Sequence, residues 1–302
     1  MIPYVDLPDP GQAWTAEAKL AIASDIGKKF REQGFFFVHN HGIPRALTDE
    51  VFNETKRFYQ LPQEEKTRYD CREESHYLGY RGLGREKSRT HSGAEPCEQY
   101  RIGNTDGPLE PGYSAEFYHE PFPQGSLLFR ELVGLADLVM AACAIDLELG
   151  EHYFDPYMDV PVHRLGLNYY RVGQSRQLSN EVSYAMSPHV DAALFTILTH
   201  DVPGLEVQDT DGEWIEVPVH EEAWFIFNGL YLERWTNGVY RGAPHRVAPT
   251  TRERMSLQYK HRPSYGTIIS PLEQFTSESN PPKFKPYDTG SEYLSILRSI
   301  LS

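Results

Sequence analysis

Residues 192–208, Ala192-Ala-Leu-Phe-Thr-Ile-Leu-Thr-His-Asp-Val-Pro-Gly-Leu-Glu-Val-Gln208, set two short β-prone runs on either side of a Pro203-Gly204 turn. The same pattern extends in both directions. Short apolar or alternating runs occupy 164–171, 194–199, 204–208, 214–217, 223–227, 245–248 and 254–260, punctuated by Asp211-Gly212, Asn228-Gly229 and Asn237-Gly238. Seven such runs without helices between them predict antiparallel sheets closed on each other, as a sandwich, barrel or jelly roll.

Upstream the periodicity is helical. Thr15 is placed to cap a helix reaching Gln33, with Gly34 just past its last turn. A second helix is expected from Pro44 to Leu61, and a third over 125–149, with Leu128, Leu132, Leu135, Val139 and Ala142 at helical spacing and Gly150 as its stop. Residues 34–42 form an apolar β run between the first two helices. The 103–125 connector, with Tyr113, Phe117 and Tyr118, is expected to be an ordered loop near a rim, and 292–301 an amphipathic helix. The expected organisation is a single domain over 1–302. It comprises a helix-rich part (1–160), a β core carrying the site (161–271), and a tail with its helix (272–302).

Composition narrows the function. The 302 residues are 40% hydrophobic and 24% charged, which excludes a disordered chain. A net charge of −14 repels phosphate backbones and anionic membranes, so nucleic acid and lipid surfaces are not expected partners. Three cysteines, none in a C-x-x-C pair, argue against a disulfide framework or a thiolate zinc site. The apolar stretch 127–149 is broken by Arg130, Asp137 and Asp146, and residues 1–9 show no leader pattern, so a cytoplasmic monomer acting on a small molecule is expected.

Two His-x-acid pairs occur, His189-Val-Asp191 and His220-Glu-Glu222. On a strand, residues two apart face the same way, so each pair brings an imidazole and a carboxylate to one point. Such pairs also arise by chance, and the neighbourhood separates these two. His220 lies in a polar turn and is read as solvated. His189 and Asp191 lead into the buried 192–198 run, and a later strand carries His245. Two imidazoles and one carboxylate can occupy one face of an octahedral metal and leave three positions open, the arrangement of non-haem Fe(II) oxygenases. Nine residues on, Arg254 and Ser256 share a strand face, and a guanidinium with a neighbouring hydroxyl can clamp a carboxylate. A lone R-x-S is commonplace on exposed strands. The inference rests on its spacing from His245.

Residues Gly34-Phe-Phe-Phe-Val-His-Asn-His-Gly-Ile-Pro44, Asn168-Tyr-Tyr170, His189-Val-Asp191, Thr196-Ile-Leu198, Pro203-Gly-Leu-Glu-Val207, Asn237-Gly-Val-Tyr-Arg241, His245-Arg-Val247 and Arg254-Met-Ser256 occur in one order. From residue 2 to about residue 271 the chain thereby resembles the isopenicillin-N-synthase-like group of iron(II)/2-oxoglutarate-dependent oxygenases. The resemblance implies a mainly β fold with flanking helices around a double-stranded β-helix (jelly-roll) core. It also implies Fe(II) on His189, Asp191 and His245, and 2-oxoglutarate held by Arg254 and Ser256 with Asn168 and Tyr170 assisting. The chain departs from the group's pattern at Arg171, where Pro is frequent, and at Leu230-Tyr231, where Gly-Asp is frequent.

The activity so implied is oxidation of an unactivated C–H of a small specialised metabolite by O2. 2-Oxoglutarate is converted to succinate and CO2, and no catalytic side chain is needed beyond the metal centre. Hydroxylation, desaturation, epoxidation and ring closure all remain open. Tyr77, Tyr80, Arg81, Arg101, Phe195, Tyr231 and Tyr259 adjoin the motif strands or the preceding loop and are the candidate substrate contacts. Arg81 or Arg101 would suit a substrate carboxylate. The alternatives are an oxidase and cyclase of the same group that uses no 2-oxoglutarate, and a non-catalytic jelly-roll binding protein.

Overall fold

The alternation in 162–261 does fold as strands, and the chain before it supplies more. A computed structural model of the protein describes residues 1–9, 14–88, 94–104, 114–172 and 184–301. The first half contains β1 (Tyr4–Asp6), α1 (Ala16–Glu32), β2 (Phe35–His39), α2 (Arg45–Gln60), α3 (Gln63–Thr67), β3 (Gly79–Arg81), β4 (Glu98–Gly103) and α4 (Pro123–Asp146). Next come β5 (Arg164–Tyr170), β6 (Met186–His189), β7 (Phe195–His200), β8 (Leu205–Gln208), β9 (Trp214–Glu216) and β10 (Trp224–Asn228). The chain closes with α5 (Leu230–Trp235), β11 (His245–Val247), β12 (Arg254–His261), β13 (Ile268–Ile269), β14 (Tyr287–Asp288) and α6 (Ser291–Leu301).

An eight-stranded sheet has the order β1-β2-β10-β7-β12-β5-β4-β3, and a four-stranded sheet the order β6-β11-β8-β9. From β6 to β12 the chain passes back and forth between the two sheets, as in a jelly roll. The described residues of 1–160 carry four α-helices and also four strands of the large sheet. Their β content is legible only at 34–42, because β1, β3 and β4 are short or polar.

Alternation sorts the large sheet into two unlike faces. One face (Tyr80, Tyr100, Leu165, Leu167, Leu257, Tyr259, Ile197) packs under α1, α2 and α4 in the main apolar core. The opposite face looks toward the small sheet. At one end it is apolar, with Phe35, Phe37, Leu198, Phe225 and Phe227. Along β3, β4, β5 and β12 it is polar and buried, with Arg81, Gln99, Arg101, Arg164, Asn168, Arg254, Ser256 and Gln258.

Local signals explain the boundaries. The Thr15 hydroxyl accepts the Ala18 N–H at 3.1 Å and caps α1. Gly34, at φ +85°, returns its N–H to the Lys29 carbonyl, and a Cβ there would meet the Arg241 carbonyl oxygen at 2.6 Å. The helix at 230–235 is unexpected. Its start lies beside a tight contact: Gly229, Leu230 and Tyr231 donate their N–H groups to the carbonyls of Leu194, Asp191 and Ala193. Of the 103–125 connector, residues 105–113, including Tyr113, lie outside the described residues. In the remainder Tyr118 is buried and Phe117 stacks on Tyr69 at 4.9 Å.

Three histidines are sealed inside this frame. His163 and His261 stack at 4.4 Å, and His200 Nδ1 donates to the Val202 carbonyl at 2.9 Å. Burial lowers His200 and His261 to about 3, and His163 well below the ordinary histidine value. The unfolded chain protonates each ring near pH 6.5. Below that pH the unfolded state gains protons that the folded state refuses, so stability is lost between about 6.5 and 3, by up to about 1.4 kcal/mol per pH unit for each ring. The metal-free protein should therefore melt at a lower temperature at pH 5 than at pH 7.5, and His261→Phe should flatten that slope. An equal melting temperature at the two pH values would contradict the neutral burial.

Candidate metal centre

The short ladder between β6 and β11 builds the centre. His189 and His245 are directly paired across this antiparallel contact, so their imidazoles leave the same face, with ring centroids 4.3 Å apart. Asp191 follows two residues after His189. Its Oδ1 lies 3.4 Å from His189 Nε2 and 4.0 Å from His245 Nε2, and ligand atoms of the three residues lie within 4.8 Å of one another. His189 Nδ1 bonds the Ser187 carbonyl at 2.7 Å and His245 Nδ1 the Ala243 carbonyl at 3.1 Å. A carbonyl can only accept, so each Nδ1 carries a proton and Nε2, the atom facing Asp191, is the nitrogen left to bind a metal. Two imidazoles and one carboxylate at this spacing suit a divalent metal that keeps open positions.

The carboxylate is fixed twice. Thr196 on β7 donates its hydroxyl to Asp191 Oδ2 at 2.6 Å, and Lys260 on β12 donates its ammonium to Oδ1 at 2.5 Å. Burial alone would raise the Asp191 carboxyl, but the Lys260 ammonium beside it holds it well below the usual carboxylate range. Burial, with His189 beside it, pushes His245 down to about 3, so its ring is neutral at working pH.

A second polar cluster lies on the large sheet. Arg254 pairs with Tyr170 and Ser256 with Asn168 across β12 and β5, which puts all four side chains on one face. Arg254 is 1% exposed and its Nε donates to the Val202 carbonyl at 3.0 Å, while Nη1 and Nη2 have no partner. Two orphaned guanidinium nitrogens in a buried site call for a bidentate anion such as a carboxylate. Asn168 donates to the Tyr170 hydroxyl at 3.3 Å and accepts from Arg101 at 2.7 Å.

From the triad a cavity of about 80 Å³ runs toward β3, β4 and β12. Arg81 and Arg101 line it. The other five candidate substrate contacts do not, and strand parity explains most of them. Tyr80, Phe195 and Tyr259 point from the large sheet to its helix-covered face, and Tyr231 turns with α5 into the same core. Tyr77 packs with Leu297 and Ile300 of α6 and reaches Glu73 with its hydroxyl. His220 is not simply solvated either. It is half-buried, with its ring 4.9 Å from His39 and 5.5 Å from Phe37. Arg171 donates to Glu98 at 3.0 Å and to the Tyr59 carbonyl at 2.8 Å.

Three residues of the site escape the motif reading, Lys260, Arg164 and Arg262, and Thr196 stands in a motif without a role assigned to it. Lys260 had a signal in the sequence, since positions 254, 256, 258 and 260 share one strand face. Arg164 had the same signal, two residues per step from Asn168 and Tyr170 on β5, whereas Arg262 lies just past the end of β12, where sequence gives no direction for the side chain.

Comparison with known proteins agrees with this geometry. Residues 161–263 match the family described as the 2OG-Fe(II) oxygenase superfamily, and residues 2–124 match that described as non-haem dioxygenase in morphine synthesis N-terminal. The chain is 30% identical over 292 residues to azadirone synthase LFS of Melia azedarach, covering 89% of this chain and 85% of that protein. It is 28% identical over 287 residues to the 2-oxoglutarate-Fe(II) type oxidoreductase ppzC of Metarhizium majus, covering 85% and 76%. Among solved structures, a full-length Neurospora crassa protein in complex with alpha-KG superposes with a TM-score of 0.83 at 25% identity, covering 99% of this chain and 96% of that one.

Proposed function

We infer the roles of the site residues from one premise: the chain belongs to the 2OG-Fe(II) oxygenase superfamily. It is an Fe(II)/2-oxoglutarate-dependent dioxygenase of mainly β, jelly-roll fold that acts on a small metabolite, with O2 as co-substrate. The variant chemistry without 2-oxoglutarate is not favoured by relatives of this kind. His189, Asp191 and His245 are assigned to the iron, and Arg254 and Ser256 to the distal carboxylate of 2-oxoglutarate, with Asn168 and Tyr170 beside them. The observation that carries this reading is the pairing of a three-ligand cluster between the sheets with an unpartnered, buried guanidinium on the large sheet.

Bound Fe(II) supplies the O2 chemistry that attacks an unactivated C–H as 2-oxoglutarate goes to succinate and CO2. The chain's own residues do the placing. The Ser187 and Ala243 carbonyls hold both imidazoles in the tautomer that presents Nε2. Thr196 orients Asp191 by engaging the oxygen that faces away from the histidines. Tyr293, Leu297 and Ile300 of α6 line one wall of the cavity.

The reading extends to a metabolite of specialised metabolism, oxidised by hydroxylation, desaturation or ring formation. It also includes a monomer working in the cytoplasm without nucleic acid or membrane, supported by the net charge of −14. No helix among the described residues is long and apolar enough to cross a membrane. The test is a metabolite screen on protein loaded anaerobically with Fe(II) and then given O2. The expected result is succinate formed in step with oxidised product. Product formed without loss of 2-oxoglutarate would overturn the assignment of the clamp.

A further inference from the structure

The cavity beside the triad is charged far beyond what the protein itself neutralises. Arg81, Lys87, Arg101, Arg164, Lys260 and Arg262 line it, against the carboxylates of Glu86, Glu95 and Asp191. The four arginines are each no more than 8% exposed, so water screens them little. Pairing explains how they converge. Arg101 lies opposite Gly166, and Arg164 opposite Lys260, across β4, β5 and β12. A Cβ at Gly166 would come within 2.1 Å of Arg101 Nη1, so the bare strand is what admits that guanidinium.

The internal partners leave specific donors over. Arg101 is spent, its fork divided between Asn168 and Gln99. Arg81 gives Nη1 to Glu86 at 3.0 Å and Nη2 to the Tyr77 carbonyl at 3.3 Å, but its buried Nε has no partner. Arg262 gives Nε to the Ala192 carbonyl at 2.9 Å and rests 4.5 Å over the Tyr293 ring, but its buried Nη1 has no partner. Glu95 is already engaged by the Ser187 N–H at 3.3 Å. The Tyr293 phenol senses the imbalance. Burial would raise it, yet Arg262, Arg164, Arg81 and Lys260 together bring it below the ordinary tyrosine value. An excess of buried cations with donors left open is the condition for binding an anion.

We propose that the substrate is a small carboxylic acid whose carboxylate is gripped by Arg81 and Arg262, which turns its carbon chain toward the His189–Asp191–His245 face. This deepens the oxygenase reading and rests on it for calling the ligand a substrate. It departs from the expectation for Arg101, whose donors are committed to the 2-oxoglutarate side.

The test is calorimetric and needs no turnover. Mn(II)-loaded full-length protein, with and without saturating 2-oxoglutarate, is titrated with tricarballylate, L-aspartate and glycerol 3-phosphate, and with glycerol as an uncharged control. Binding of tricarballylate or L-aspartate, weakened by about 10- to 100-fold in Arg262→Gln, is the expected result. Preference for L-aspartate would narrow the class to amino acids. Binding of glycerol 3-phosphate alone, or of no anion better than glycerol, would overturn the proposal. Because Arg262 also anchors the Ala192 carbonyl, Arg81→Gln is measured in parallel, and both variants are checked by thermal melting. Failure of 2-oxoglutarate itself to bind would instead count against the oxygenase assignment, while the loss of anion binding in Arg262→Gln and Arg81→Gln, or its persistence, still decides the chamber.

Discussion

Asp191→Ala should lose substrate-dependent succinate formation altogether, and with it most of the affinity for divalent metal. The carboxylate is the one anion among the three proposed ligands, and its Oδ1 is the atom that faces both imidazoles. Removing one partner of a buried charge pair costs about 3–5 kcal/mol, which is roughly a 10²- to 10⁴-fold loss of affinity. The loss is compounded because Lys260 is then left without its acceptor. Metal titration separates this from misfolding: the variant should melt cooperatively and yet fail to gain stability when Mn(II) is added. Asp191→Glu, which keeps the charge but lengthens the side chain, should recover part of the binding and little of the turnover. Full succinate formation by Asp191→Ala would remove the triad from the mechanism.

Arg254→Met is expected to act on 2-oxoglutarate and leave metal binding alone. The guanidinium is buried, one nitrogen is tied to the Val202 carbonyl, and two are free to grip a carboxylate. Replacing it with an apolar chain of similar length leaves that carboxylate buried without its cation, at about 3–5 kcal/mol. The 2-oxoglutarate concentration for half-maximal rate should rise by roughly 10²- to 10⁴-fold, with the Mn(II) affinity of the protein nearly unchanged. Arg254→Lys should restore only part of this, since an ammonium cannot make the two parallel bonds of a fork. An unaltered 2-oxoglutarate requirement in Arg254→Met would place the co-substrate elsewhere.

The legibility of this protein follows strand parity. His189, Asp191, His245, Arg254 and Ser256 could be read because a period of two fixes which way a strand residue faces, and their spacings respect it. The same rule, applied to Tyr80, Phe195 and Tyr259, needs one further fact: which face of the sheet the helices cover. Sequence alternation does not contain it, because both faces of the large sheet are buried, one in apolar contact and one in polar contact. Helices α1, α2 and α4 were legible from caps and periodicity. The short α5 was not, since six residues beginning beside a tight carbonyl contact carry too little pattern. His200 shows the same limit. Its Nε2 is buried and unpartnered on β7, opposite Ser256, but a single histidine between two apolar runs gives no hint of that neighbour.

The proposed ligands do not belong to one layer. His189 and His245 stand on the small sheet, whereas Asp191 is tethered to the large one through Thr196, Lys260 and the start of α5. A cation held by all three would work as a rivet between the layers, so iron supply would set the mechanical cohesion of the barrel as well as its chemistry.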